Sequence, residues 1–107
     1  MKEIYCTVWT KDGKQELTLF EWFTFNNNEL HRLDGHAFED VYGTKYWYVD
    51  GKLHRLDGPA VEHSNGLKEW CINGKLLPSR EIENWLKTND VDLKEPEEQM
   101  AFKLRWL

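Results

Sequence analysis

The chain has 107 residues and a net charge of -5, from 19 acidic against 14 basic side chains with no basic region, and this argues against direct binding to nucleic-acid phosphates. That length suits one domain, and the absence of a signal-like start or of a run near the roughly 20 apolar residues of a membrane helix points to a cytoplasmic protein. Six Trp, five Phe and four Tyr favour strands over helices, and the two cysteines, Cys6 and Cys71, are expected as free thiols packed in or beside a sheet.

Ile4-Tyr5-Cys6-Thr7-Val8-Trp9 is rich in β-branched and aromatic side chains and predicts a strand. Asp12-Gly13 then predicts a type I′ turn, because Asx-Gly tolerates the two positive φ angles that such a turn needs. The return strand is expected from about Gln15 through Phe25, carrying Leu17, Leu19, Phe20, Trp22, Phe23 and Phe25, with a bulge to break its length.

From here one spacing governs the chain. Leu30-His31-Arg32-Leu33-Asp34-Gly35 returns as Leu53-His54-Arg55-Leu56-Asp57-Gly58, 23 residues later. At the same spacing stand Asn27, Asp50 and Asn73; Asn28, Gly51 and Gly74; Ala37 and Ala60; Gly43 and Gly66; and Trp47 and Trp70. A fixed period of this size predicts a repeated supersecondary unit, here an antiparallel meander of strands joined by Asx-Gly and Leu-Asp-Gly turns. A fainter copy pairs Val8, Asp12, Gly13 and Glu16 with Val61, Asn65, Gly66 and Glu69 at an offset of 53, which makes the N-terminal unit an irregular one.

After Leu76 the pattern stops at Leu77-Pro78-Ser79-Arg80, where Ser79 offers a helix N-cap. Ile82, Trp85 and Leu86 then form an apolar stripe. Glu95-Pro96-Glu97-Glu98 opens a second helix whose apolar positions are Met100, Leu104 and Leu107, with Phe102 and Trp106 on an adjoining face. The expected fold is therefore mainly β with two short C-terminal helices, an α+β domain divided into an N-terminal hairpin (1–22), β repeats (23–78) and a helical segment (79–107).

The stretch from Trp47 through Asp50-Gly51-Lys52-Leu53-His54-Arg55 to Asp57-Gly58-Pro59-Ala60 resembles the MORN-variant repeat, of the form W-x-x-N-G-K-L-H-R-x-D-G-P-A. Proteins built from it are encoded by tailed bacteriophages and large DNA viruses. The likeness covers residues 23 to 76 well, residues 4 to 22 weakly and the C-terminal helices not at all. It implies a binding scaffold, and in its most concrete form an inhibitor of a host enzyme or antiviral defence system, because a shared scaffold carries no shared chemistry.

His31, Arg32 and Asp34, with His54, Arg55 and Asp57, are the residue types of acid/base catalysis, so a small hydrolase or nuclease is one reading. Against it, equivalent residues two strand spacings apart are separated by about 9 to 10 Å, too far for two histidines to share a zinc ion. The expected role of these residues, with Gly35 and Gly58, is to shape turns. No HExxH, CxxC, Walker or Gly-x-Ser-x-Gly motif is present, so no metal, cofactor or catalytic residue is assigned. Strand alternation puts Trp47 with Val49, and Trp70 with Ile72, on a core face. Phe23, Phe25, Tyr46 and Tyr48 fall on the other, the expected site for a protein partner unless Trp85, Leu86, Leu104 and Trp106 of the helices cover it. Self-association through an exposed edge strand is a third reading.

Overall fold

A computed structural model describes residues 3–107. The expected α+β architecture is present: mainly antiparallel strands followed by two C-terminal helices, in a body of 50 × 27 × 20 Å. Strands β1 (Cys6–Thr10), β2 (Gly13–Leu17), β3 (Phe38–Asp40), β4 (Lys45–Tyr46), β7 (Val61–Glu62) and β8 (Lys68–Glu69) form one six-stranded sheet in the order β2-β1-β3-β4-β7-β8. The remaining strands make two separate hairpins, β5 (Tyr48–Val49) with β6 (Lys52–Leu53) and β9 (Cys71–Ile72) with β10 (Lys75–Leu76).

The chain thus alternates between the large sheet and the row of small hairpins, and it crosses at Trp47 and at Trp70. The expected strands running through Tyr46–Val49 and Glu69–Ile72 are each split at the tryptophan. Alternation fails there for the same reason: Trp70, Cys71 and Ile72 are buried in succession, because a chain that leaves one sheet for another no longer obeys a period of two.

The small hairpins have the turns that Asx-Gly predicts. Asp50 and Gly51 lie at φ 50° and 78°, Asn73 and Gly74 at 49° and 81°, both positive as a type I′ turn requires. Each turn docks on the preceding unit, with Gly51 N–H donating to Leu30 O at 2.9 Å and Gly74 N–H to Leu53 O at 2.8 Å. The first hairpin differs from expectation. Its loop is Lys11-Asp12, closed by Thr10 opposite Gly13, and of Asp12 and Gly13 only the glycine has a positive φ.

The expected long return strand is also absent. It ends at Leu17, and Leu19–Thr24 is a short helix, α1. Thr18 caps it: its hydroxyl accepts from Glu21 N–H at 3.2 Å while Glu21 Oε1 accepts from Thr18 N–H at 2.9 Å, a reciprocal pair that satisfies two otherwise unpaired backbone donors. A 3-10 turn, Asn27–Glu29, then leads into the first His-Arg stretch.

Backbone bonds set the alignment of the N-terminal unit. Trp9 N–H donates to Ala37 O as Trp47 N–H does to Ala60 O, and Trp9 O accepts from His31 N–H as Trp47 O does from His54 N–H. Trp9 therefore matches Trp47, an offset of 38 rather than 53, and the β2–α1 excursion is the inserted segment.

Two apolar clusters make the core. Cys6, Val8, Leu17, Leu30 and Phe38 form the first, with Tyr5, Trp22, Phe25, Tyr46 and Tyr48 packed around them. Trp70, Ile72, Leu77, Ile82, Leu93 and Phe102 form the second, under α2 (Ser79–Thr88) and α3 (Pro96–Trp106). On α3 the inward face is Phe102 and Trp106, while Met100, Leu104 and Leu107 are exposed, the reverse of the expected stripe. Ser79 is the first residue of α2 rather than its cap, and its Oγ accepts from Trp70 N–H at 3.0 Å. That hydroxyl replaces the carbonyl which Ala37 and Ala60 supply to Trp9 and Trp47, so the strand pattern ends where the helix begins.

Gly51 and Gly74 differ in their surroundings although their backbones match. A Cβ on Gly51 would sit 2.7 Å from Asn28 O, against 3.8 Å from Lys52 Cβ at Gly74. Gly74→Ala should cost about 1 kcal/mol from its φ alone, whereas Gly51→Ala, which also collides with backbone, should cost at least about 2 kcal/mol. Urea unfolding of the two variants measures the difference, and equal losses would contradict the close packing at Gly51.

Candidate functional site

The two His-Arg-Leu-Asp-Gly stretches share one set of contacts. Arg32 Nε donates to Asp34 Oδ1 at 2.9 Å and its Nη1 to His36 O at 3.1 Å; Arg55 Nε donates to Asp57 Oδ1 at 2.8 Å and its Nη1 to Pro59 O at 3.1 Å. Each guanidinium also lies over a tryptophan ring, Arg32 over Trp9 at 4.5 Å and Arg55 over Trp47 at 3.9 Å. Arg55 gains a further partner in Glu62, 2.9 Å away.

The glycines belong to the same device. A Cβ on Gly35 would stand 3.0 Å from Arg32 Cζ, and one on Gly58 2.7 Å from Arg55 Cζ. Because the guanidinium is pinned between its tryptophan, its aspartate and a carbonyl, it cannot swing away to make room. The histidines hold the next turn: His31 Nδ1 accepts from Asp50 N–H at 3.0 Å and His54 Nδ1 from Asn73 N–H at 3.1 Å. Every polar member of the motif thus has a structural bond. The Arg32 guanidinium beside Asp34 holds that carboxyl below its usual range, and Lys11 does the same for Asp50.

Around these turns lie two adjoining grooves. The first, about 590 Å³, is bounded by Arg32, Leu33 and Asp34 on one side and by Trp47, His54 and Arg55 on the other. The second, about 560 Å³, repeats the arrangement one unit earlier with Trp9, His31 and Arg32, and shares Leu33 and Asp34 as its wall. Among the described residues no group of three or more His, Cys, Asp or Glu side chains could hold a metal ion.

The four aromatic residues expected to form one row do not. Phe23 is on α1 and 77% exposed, Phe25 is half-buried at that helix's end, and Tyr46 and Tyr48 lie in different sheets. Tyr46, Tyr48 and Phe25 all pack on the first core cluster, and burial pushes both tyrosine hydroxyls above their ordinary pKa. The helices do not cover this region either. Trp85, Leu86 and Trp106 pack against the Trp70 cluster, and Leu104 is 81% exposed.

A different apolar surface is open instead. Leu19, Phe20 and Phe23 share one face of α1, and Phe20 and Phe23 are 78% and 77% exposed. Beside them Ile4, Leu19, Phe20 and Val41 line a pocket of about 430 Å³. Leu19 and Phe20 fall within the stretch expected to be a strand. The sequence did hold a signal for the helix, in the Thr18-x-x-Glu21 pair. The exposure of Leu33 had no such signal, since Leu33 and Leu56 are identical in local sequence. Comparison with protein-family models, curated proteins and solved structures gives no match.

Burial lowers the pKa of His54, with the charge of Lys103 adding to it, and burial also lowers that of His36. A histidine whose pKa is depressed in the folded state contributes stability above its unfolded value of 6.5, and that contribution is lost as pH falls through the folded value. Thermal midpoints should therefore drop between pH 7 and pH 5, ahead of carboxylate titration. His54→Asn keeps an acceptor for Asn73 N–H without a titrating ring and should flatten the slope, leaving the share of His36. An unchanged slope in melts across this range would contradict a titrating role for His54.

Proposed function

We propose that this chain is a non-enzymatic protein-binding module that works by occupying a surface of another protein. The observation that carries the proposal is the bare face of α1, where Leu19, Phe20 and Phe23 stand open beside Ile4 and Val41. Apolar surface that is left uncovered beside a complete core marks an interaction site, and large aromatic side chains are the usual anchors of one. Of the expected partner-binding residues, Phe23 belongs to this face; Phe25, Tyr46 and Tyr48 would act by supporting it from the core beneath.

The bonding of the His-Arg-Leu-Asp-Gly stretches supports the same reading over a hydrolase or nuclease, because His54 Nδ1, Arg55 and Asp57 Oδ1 are already engaged in holding turns. The resemblance of these stretches to MORN-variant repeats of viral proteins extends the proposal to its sharpest form, an inhibitor of a host enzyme or defence protein.

The test is a pull-down from host lysate with the wild-type chain and with Phe20→Ser/Phe23→Ser, alongside sedimentation of both. A monomer that captures a defined protein, lost in the double variant while the thermal midpoint stays within about 2 °C, is the expected result. Capture of nothing reproducible, or the same capture by both chains, contradicts the proposal. A concentration-dependent dimer abolished by the double variant would instead make the α1 face a self-association surface.

A further inference from the structure

We infer that β2 is a pairing edge for a second copy of this chain: two protomers join β2 to β2 about a two-fold axis at Gln15, with Lys14 of each opposite Glu16 of the other. Three observations carry this inference.

The first is that β2 has open backbone groups. It is the outer strand of the six-stranded sheet, it pairs with β1 in unbroken register over five residues, and Gly13 through Glu16 are all exposed. Successive residues of a strand direct their N–H and C=O to opposite sides. Trp9 directs both away from β2, donating to Ala37 O at 2.8 Å and accepting from His31 N–H at 2.9 Å, so Val8 turns toward β2 and meets Gln15. Lys14 and Glu16 therefore aim their N–H and C=O away from β1, into solvent. The opposite edge offers no such template, because β8 has two residues and its Glu69 is paired with His63 at 2.6 Å. Shortening an edge strand is a usual guard against pairing, and β2 lacks it.

The second is register. Ladder bonds form only where outward-facing residues meet outward-facing residues, and of the two-fold centres along β2 only Gln15 brings both such residues of one strand against both of the other. Centring on Lys14 or Glu16 instead sets like charges directly opposite, which is destabilising. At the Gln15 centre Lys14 meets the partner's Glu16 twice over. Each of these two pairs exchanges both backbone bonds, and each adds a cross-strand ion pair. Lys14-Gln15-Glu16 is thus complementary to itself.

The third is that the chain does not use these groups itself. Among the described residues Lys14 and Glu16 have no ion-pair partner, and Lys14 reaches only the Trp9 ring, 5.8 Å from its centroid. The helix α1, which follows β2, folds over the core face, where Trp22 packs on Phe38 of β3 at 4.6 Å. It does not run along the edge. A two-fold axis through an antiparallel pair stands perpendicular to the sheet, so the dimer carries both α1 helices on one side of a continuous sheet.

Pairing through one short strand is a small contact with a dissociation constant on the order of 0.1 to 1 mM, so the chain stays monomeric at the micromolar concentrations of a pull-down. Sedimentation equilibrium of the full chain up to about 2 mM should show a monomer–dimer equilibrium, and the backbone amide resonances of Lys14 and Glu16 should move with concentration. Lys14→Glu sets carboxylates opposite each other at both pairs and should weaken the dimer at least about tenfold, whereas Lys14→Glu/Glu16→Lys restores opposite charges and should return the wild-type value. Both side chains are exposed, so thermal midpoints of the dilute variants should stay within about 2 °C of wild type. A monomer throughout, a dimer that Lys14→Glu leaves unchanged, or one that the double exchange fails to restore overturns the inference. A dimer lost in Phe20→Ser/Phe23→Ser but kept in Lys14→Glu would place the contact on α1 and overturn it as well. Capture of a different protein by α1 requires none of these outcomes, so the two readings stand or fall separately.

Discussion

The guanidinium of Arg55, held between Trp47, Asp57 and the carbonyl of Pro59, is the constraint on which this architecture rests, and Arg32 reproduces it with Trp9, Asp34 and His36. Its planar fork can satisfy a carboxylate and a carbonyl while its face lies on an indole, a combination that lysine's single ammonium cannot match. Each residue of the motif follows from that placement. Aspartate orients the fork, glycine leaves room beneath it, and the histidine before it ties the assembly to the next hairpin through Asp50 or Asn73. A chain of very short strands, most of two or three residues, gains little from ladder bonds alone. Side-chain clamps at each crossing supply the order that long strands would otherwise provide.

The same logic explains how the pattern ends. Where the next arginine would stand the sequence has Leu77-Pro78-Ser79: Ser79 Oγ replaces the backbone acceptor of Trp70 N–H and Phe102 replaces the cation over the ring, while the backbone bond from Leu77 N–H to Trp70 O, 2.8 Å, is kept as in the unit before. The helices are therefore part of the last unit rather than an appended layer. At the other end the insertion carrying β2 and α1 keeps the clamp intact and leaves Phe20 and Phe23 bare.

Much of the fold was legible because the spacing of 23 residues is a physical constraint. Identical letters at one interval need identical surroundings, and Asp50-Gly51 and Asn73-Gly74 have the same turn with the same signs of φ. The α+β division and the start of the C-terminal helices near Pro78 followed from turn residues and from the change in apolar period. Two things did not follow. Strand periodicity cannot show that a chain leaves its sheet at Trp47, because the crossing is a tertiary event, so the inferred row of Phe23, Phe25, Tyr46 and Tyr48 joined residues from separate elements. Nor can a local motif distinguish Leu33 from Leu56, whose different exposure arises from helices more than 20 residues away. The aromatic run Leu19–Phe25 reads as strand by composition, but Thr18 with Glu21 caps a helix over Leu19–Thr24, a local signal that outweighs it.

The most direct measurement is the unfolding free energy of Arg55→Lys, with Arg32→Lys beside it. If the clamp organises the fold, lysine keeps the charge but loses the fork and its place on the indole, and urea titration should show a loss of about 2 kcal/mol for Arg55. The loss for Arg32 should be smaller, because Glu39, the counterpart of Glu62, pairs with His36 instead. A change below about 0.5 kcal/mol at Arg55, within the range of ordinary surface substitutions, would contradict the account.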